Sequence, residues 1–211
     1  MKEAVSLTLN EAGYVVGQSS TAINRAVDRG VIKARLQRRG KLQLRKVGPA
    51  ELRFLAVASA IAKDLTPAAR KKIYEAVRRL PPQAHRLELG LMEIRLTEID
   101  QRIAERLRRL DEVKAFVDEA QGGDPILRGT AAPVHAVAAL TAGQSVAEII
   151  EDYPGLTPAQ VEAAVEYAKV YPKPGRPLPA RSLKRMLSDL AATGIWDLES
   201  ASEPLAPQPI P

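Results

Sequence analysis

The chain has 211 residues, of which 45% are apolar but only 4% aromatic, so any core it builds is aliphatic. It has no cysteine, which excludes disulfides, thiolate metal sites and cysteine nucleophiles and suits a reducing cytosol. The net charge of +6 is unevenly spread: residues 25–46 hold nine Lys/Arg against Asp28 alone. Charge gathered in this way is the footprint of a polyanion-binding surface, with a solvated basic face as the plain alternative.

Alanine, leucine and arginine dominate, so a mainly helical fold of small modules is expected. Met1 to Leu9 shows no apolar stretch behind a basic start, so no signal peptide is expected. The longest apolar run, 54–62, is far short of the roughly 20 residues a membrane helix needs. These features predict a soluble, cytoplasmic protein without membrane contact.

Residues 7–46 read as helix, turn, helix and hairpin. Leu7, Leu9, Ala12, Val15 and Val16 supply an apolar face, with Asn10 as candidate cap and Gly17 as a stop. Ser19 opens a second helix that turns Ala22, Ile23, Ala26 and Val27 inward. Its other face offers Ser20, Thr21, Asn24, Arg25 and Asp28, side chains suited to base edges and phosphates. Gly30 ends it. From Val31 to Val47 the period falls to two, placing Ile32, Ala34, Leu36, Leu42 and Leu44 on one side and a turn at Arg39–Gly40.

The stretch LTLNEAGYVVGQSSTAINRAVDRGVIKAR, with the basic hairpin and the acid-led helix from Glu51, resembles the excisionase and MerR-type winged helix-turn-helix. That resemblance implies operator DNA as a partner. It makes Ser19 to Arg29 the major-groove recognition helix, with Ser20, Thr21, Asn24, Arg25 and Arg29 at the bases and phosphates. Arg38, Arg39 and Lys41 would sit on the wing. Such folds also serve as protein-docking modules.

Gly48–Pro49 punctuates the chain, and two helices follow, over 50–63 and from Thr66–Pro67 to about Arg79. Pro81–Pro82 predicts the first domain boundary, near residue 85. Residues 86–96 alternate like strands. A long amphipathic helix then carries Ile99, Ile103, Leu107, Leu110, Val113 and Val117 on one stripe. Over 86–120 this stripe predicts a connector that either dimerises the chain or packs on its own domain.

Residues 121–171 predict a turn-rich hairpin and a trihelical, winged-helix-like module. Val134 to Ala142 forms the first helix, Ser145 with Glu148 is a capping box for the second, and Thr157–Pro158 opens the third. Residues 122–172 hold six Asp/Glu against Arg128 and Lys169, so this module is expected to meet protein rather than DNA. DPILRGT followed by PVHAVAALTAGQSVAEIIEDYPGLTPAQVEAAVEYA resembles a family of antitoxins long known only as a domain of unknown function. Its members act as VapB-type partners of PIN or PIN-like ribonucleases. Where that family carries a basic and a branched residue before the proline, this chain has Ala131 and Ala132.

From residue 172 to 211 the sequence predicts a partner-binding tail with a disordered end. Four prolines between 172 and 179 enforce an extended segment. A short helix from about Pro179 follows, with Leu183, Met186, Leu187 and Leu190 on one face, then Ile195 and Trp196. Such a tail is expected to order on a partner, with the tryptophan as anchor. Lys173, Arg176, Arg181, Lys184 and Arg185 make it basic. By the family resemblance these residues, with Leu187 and Trp196, would bind the toxin, and Arg176 or Arg181 would reach its Mg²⁺-binding carboxylates. The alternative is a tail folded back on its own acidic module.

No cofactor, metal site or enzymatic activity is expected. His85 and His135 lack ligand spacing, no phosphate loop or nucleophile elbow occurs, and the adjacent Glu151–Asp152 should face water. The reading is a non-enzymatic antitoxin that inhibits a PIN-type ribonuclease and represses its own operon, acting as a homodimer within a larger complex. The alternative is a stand-alone MerR- or excisionase-like regulator.

Overall fold

The computed structural model describes residues 6–40, 42–61, 66–90, 92–119 and 124–192. The chain is mainly helical with a few short strands and divides into two compact units. The first holds residues 1–117 and 166–173, and the second residues 118–165 and 174–211.

The first unit opens with a two-residue strand, β1 (Leu7–Thr8), which leads directly into α1 (Leu9–Val16). Thr8 rather than Asn10 is the cap. It completes a capping box with Glu11, whose carboxylate accepts from Thr8 N at 2.8 Å and Thr8 Oγ1 at 2.9 Å. Asn10 already lies inside the helix because a threonine followed three residues on by glutamate satisfies the terminus one step earlier. Gly17 ends α1 in the left-handed conformation at φ 70°, where other residues are strained. Ser19 then caps α2 (Ser20–Asp28), its hydroxyl accepting from Ala22 N at 3.2 Å.

Strands β2 (Arg35–Arg39) and β3 (Leu42–Val47) form the expected hairpin, with Gln37 opposite Leu44. β3 also pairs with β1, Leu7 opposite Val47, so Leu7 belongs to a three-stranded sheet rather than to a helix face. Two inward assignments fail: Leu36 is 68% exposed and Ala22 is exposed. The register sets Leu36 opposite Arg45 and Gln37 opposite Leu44, so Leu36 and Leu44 lie on opposite faces of the hairpin rather than on one side.

α3 (Pro49–Ala60) and α4 (Pro67–Arg79) follow, the latter capped by Thr66. A hairpin of β4 (Arg86–Leu89) and β5 (Met92–Arg95) leads into α5 (Thr97–Ala115). The stripe of α5 is covered within the chain. Ile99, Leu110 and Val113 are buried, Ile103 and Leu107 are partly buried, and the helix packs on α1 and α3. The need for a second copy therefore disappears. Nor does Pro81–Pro82 divide the units, because Arg53 bridges it. Arg53 donates to Asp100 at 2.8 and 2.6 Å and to the Pro82 carbonyl at 2.8 Å.

One buried carboxylate joins three elements. Glu11 is 8% exposed, and besides Thr8 it meets Lys114 Nζ of α5 at 2.5 Å and the Tyr171 hydroxyl at 2.5 Å. Burial acts to raise the Glu11 pKa, but the bonds from Lys114, Tyr171 and Thr8 leave it below its ordinary value. Burial and the Glu11 carboxylate together push the Tyr171 hydroxyl up.

The second unit begins at the pairing of β6 (Val117–Asp118) with β7 (Ile126–Leu127). Helices α6 (Val134–Leu140), α7 (Val146–Asp152) and the start of α8 (Pro158–Val170) enclose Leu127, Val134, Val137, Ile149, Val161 and Ala164. The Ser145–Glu148 capping box is present. Ala132 is buried, whereas Ala131 is exposed. Among the described residues no helix is long and apolar enough to cross a membrane.

Replacing Glu11 with alanine removes the reciprocal half of the α1 capping box and leaves the Tyr171 hydroxyl buried without its acceptor. The expected loss, read by urea unfolding, is about 3 kcal/mol. Glu11→Gln, which keeps an acceptor, should lose less. Equal losses would show that the contribution lies wholly in the carboxylate's charge, with none from a neutral acceptor of the same volume.

Candidate functional site

Two surfaces carry the residues singled out from sequence. On the first unit, α2 carries its polar residues on two adjoining rows. Arg25 and Arg29 share a row with Ala22 and, together with Arg70 of α4, line a cavity of about 370 Å³ against α3. Ser20, Asn24 and Asp28 lie on the adjoining row. Asn24 donates to the Ser20 carbonyl at 3.0 Å, and Asp28 pairs with Arg45 of β3 at 2.5 Å. That ion pair is exposed, so it contributes little energy, but it ties the hairpin to α2 and cancels the one acid of the basic run. Thr21, Arg25, Arg29 and Arg38 are exposed. Arg39 ends β2, and Lys41 lies outside the described residues. Arg45 belongs to the basic run seen in the sequence, but its pairing with Asp28, like the place of Arg70 beside α2, comes only through tertiary packing.

On the second unit the tail meets its own module. A Cβ at Gly143 would sit 2.7 Å from the Ala180 carbonyl, so only glycine admits the tail at this point. Ser182, itself buried, caps α9 (Leu183–Ala192): its Oγ accepts from Arg185 N at 3.3 Å. Gln144 bridges, accepting from Ser182 N at 2.9 Å and donating to Asp152 Oδ2 at 2.8 Å. The same Oδ2 accepts from Ser182 Oγ at 2.6 Å and Arg185 Nε at 3.1 Å. Arg185 also reaches Glu148 at 3.1 Å and Glu151 at 2.9 Å.

This is a dense, directed cluster. Of the pair expected to face water, Glu151 does so, whereas the Asp152 side chain is only 3% exposed. The Ser182 hydroxyl foremost, opposed by desolvation and helped by Gln144 and Arg185, brings the Asp152 carboxyl down to about 2. The bonds from Ser145 lower Glu148, with Arg185 adding to them. Desolvation acts to lower Arg185, but its carboxylate partners raise it.

The basic tail residues therefore separate. Arg185 is taken up by three carboxylates, Lys184 lies 3.6 Å from Asp152, and Arg181 pairs with Asp189. Arg176 is exposed and meets no carboxylate among the described residues, and Lys173 is exposed. Beyond the cluster α9 buries nothing: Leu183 is 70%, Met186 43% and Leu187 51% exposed, with Leu190 on the same side. Trp196 and Ile195 lie outside the described residues.

A family profile described as "Protein of unknown function (DUF433)" matches residues 118–168. This span runs from β6 into α8 and stops short of the tail. An uncharacterized protein, y4eO, of Sinorhizobium fredii (strain NBRC 101917 / NGR234) is 38% identical over 77 residues, covering 35% of each chain. The similarity thus spans about a third of that relative. No solved structure matches the chain.

Asp152→Asn and Arg185→Ala should each speed amide exchange across Leu183–Ala192 by at least about tenfold, leaving α6 to α8 protected. Unchanged exchange would mean that something else holds α9. Because the Asp152 pKa falls from 3.8 to about 2 in the folded chain, docking should be complete above pH 3.8 and fade as the pH drops toward 2.

Proposed function

We propose that the chain is an antitoxin: a non-enzymatic protein that binds and inhibits a PIN-type ribonuclease through residues 172–192 and binds its operator through the first unit. The observation that carries this reading is α9, a formed amphipathic helix anchored at its base with its apolar face open. A chain in water gains nothing by exposing Leu183, Met186 and Leu187 in a row unless a partner groove covers them. The family match at 118–168 falls on the module that holds this helix out. In this reading Arg176 is the residue offered to a nuclease's carboxylates, while Arg185 serves the anchor.

The first unit is read as a winged helix-turn-helix, with α2 at the bases and the β2–β3 hairpin at phosphates. Support comes from the concentration of Lys/Arg between 25 and 46 and from the Arg45–Asp28 tie that fixes hairpin to helix. A stand-alone regulator is the second reading. The internal pairing of Arg181, Lys184 and Arg185 favours it, because it reduces the basic set left for a nuclease.

Co-expression with a PIN-type ribonuclease separates the two. The wild-type pair should co-purify with nuclease activity suppressed, and Leu183→Asp/Leu187→Asp should break the pair while leaving DNA binding intact. Conversely, Arg25→Ala/Arg29→Ala should spare neutralisation and lower the salt slope of DNA binding by about 2, close to one for each phosphate left unneutralised. A chain truncated at 172 that still neutralises the nuclease would refute the tail's role.

A further inference from the structure

Where α3 begins, α4 ends and α5 runs past them, the first unit leaves a cavity of about 340 Å³ walled by Leu52, Val77, Leu80, Ile103 and Leu107. This volume falls in the size range of small-ligand sites. The polar groups at its rim are satisfied by each other: Arg53 and Asp100 close a two-point ion pair.

A second cavity, of about 490 Å³, adjoins it, sharing Pro49, Ala50 and Arg78 as common wall. Its character is opposite. Lys33, Arg35 and Lys46 line it, and its one acid, Glu51, already accepts from the Tyr74 hydroxyl at 2.9 Å and Gly48 N at 3.1 Å. Arg78 stands at the junction, its guanidinium 5.7 Å from the Tyr74 ring centre, and meets no carboxylate among the described residues. An apolar cavity and a basic one thus meet along a shared edge formed by Pro49, Ala50 and Arg78.

We propose that the two cavities form one binding site for a small amphipathic carboxylate. Its aromatic or short acyl body fills the space beside Val77 and Ile103, and its carboxylate meets Arg78, with Lys46 behind. The planar guanidinium fork matches one carboxylate in a bidentate pair, whereas the leucine-lined chamber offers nothing to a second charge. Such a compound would enter from the side of the β2–β3 hairpin, whose strands supply Arg35 and Lys46. Occupancy is read directly, so the outcome does not depend on whether this unit binds DNA.

The test is a methyl-resolved NMR titration of the full chain with 2-naphthoate and with octanoate, set against 2-naphthol and 1-octanol as uncharged counterparts. The carboxylates should shift the methyls of Leu52, Val77, Ile103 and Leu107 saturably and together. Arg78→Ala, at an exposed position, should weaken the carboxylates by at least about tenfold and leave the alcohols unchanged. Ala50→Leu, which adds bulk where the two cavities meet, should block both. Thermal melts show whether each variant is folded. The proposal is overturned by scattered or non-saturating shifts, by equal affinity in Arg78→Ala, or by undiminished binding in a folded Ala50→Leu. Any of these would leave the cavity a packing gap.

Discussion

The first unit depends on one buried carboxylate. Glu11 is locally a helix cap, a role that needs only Thr8 three residues before it. Its burial, however, obliges every lone pair to find a donor, and the donors come from far along the chain: Lys114 on α5 and Tyr171 after α8. A local terminus signal thereby becomes the tie that sets α5 and residues 166–173 against α1. Removing either distant partner would leave charge in a place that water reaches poorly, so the three elements are specified together rather than in pairs.

The same device recurs in the second unit. Glu148 caps α7 through Ser145, and Asp152 ends that helix; both are recruited by Arg185 from the tail. Gln144 serves as a two-sided bridge, and Gly143 leaves room for Ala180 to approach. In both units a carboxylate placed by helix-end chemistry is reused at long range. Acidic residues near helix ends are therefore where this fold stores its tertiary information.

That pattern explains what could be read from residues alone. The Ser145–Glu148 box, the Thr66–Pro67 start, the Gly17 stop and the β2–β3 hairpin are local signals, and each appears where its chemistry demands. Asn10 failed as a cap because Thr8 forms the stronger reciprocal pair. Leu36 failed because alternation within each strand does not fix the register between them, and the register found sets Leu36 opposite Arg45, on the other face from Leu44. The stripe on α5 is identical whether α1 and α3 or a second copy covers it, and only the tertiary structure decides. The tail is a different case. Counting Lys and Arg from 172 to 190 measures how basic the segment is, but not which residues an internal carboxylate has already taken. Arg185 and Arg176 look alike in sequence and differ in everything that matters to a partner.

An anchored α9 changes how a partner would bind. A segment that orders only on binding must meet a backbone cost of about 1–2 kcal/mol per residue at that moment, which over the ten residues of α9 would offset most of what a small interface contributes. Here the Ser182 cap and the Arg185 cluster meet part of that cost within the free chain. The apolar side chains can then act nearly in full, at roughly 1.5–3 kcal/mol for each one wholly buried. Hydrophobic packing along Leu183, Met186 and Leu187 would supply affinity, while exposed Arg176, placed on a proline-stiffened segment upstream, would supply discrimination through its carboxylate geometry. Arg185 is thus better understood as a positioning residue: its charge is spent on Asp152, Glu148 and Glu151 so that the helix beyond it keeps a fixed direction.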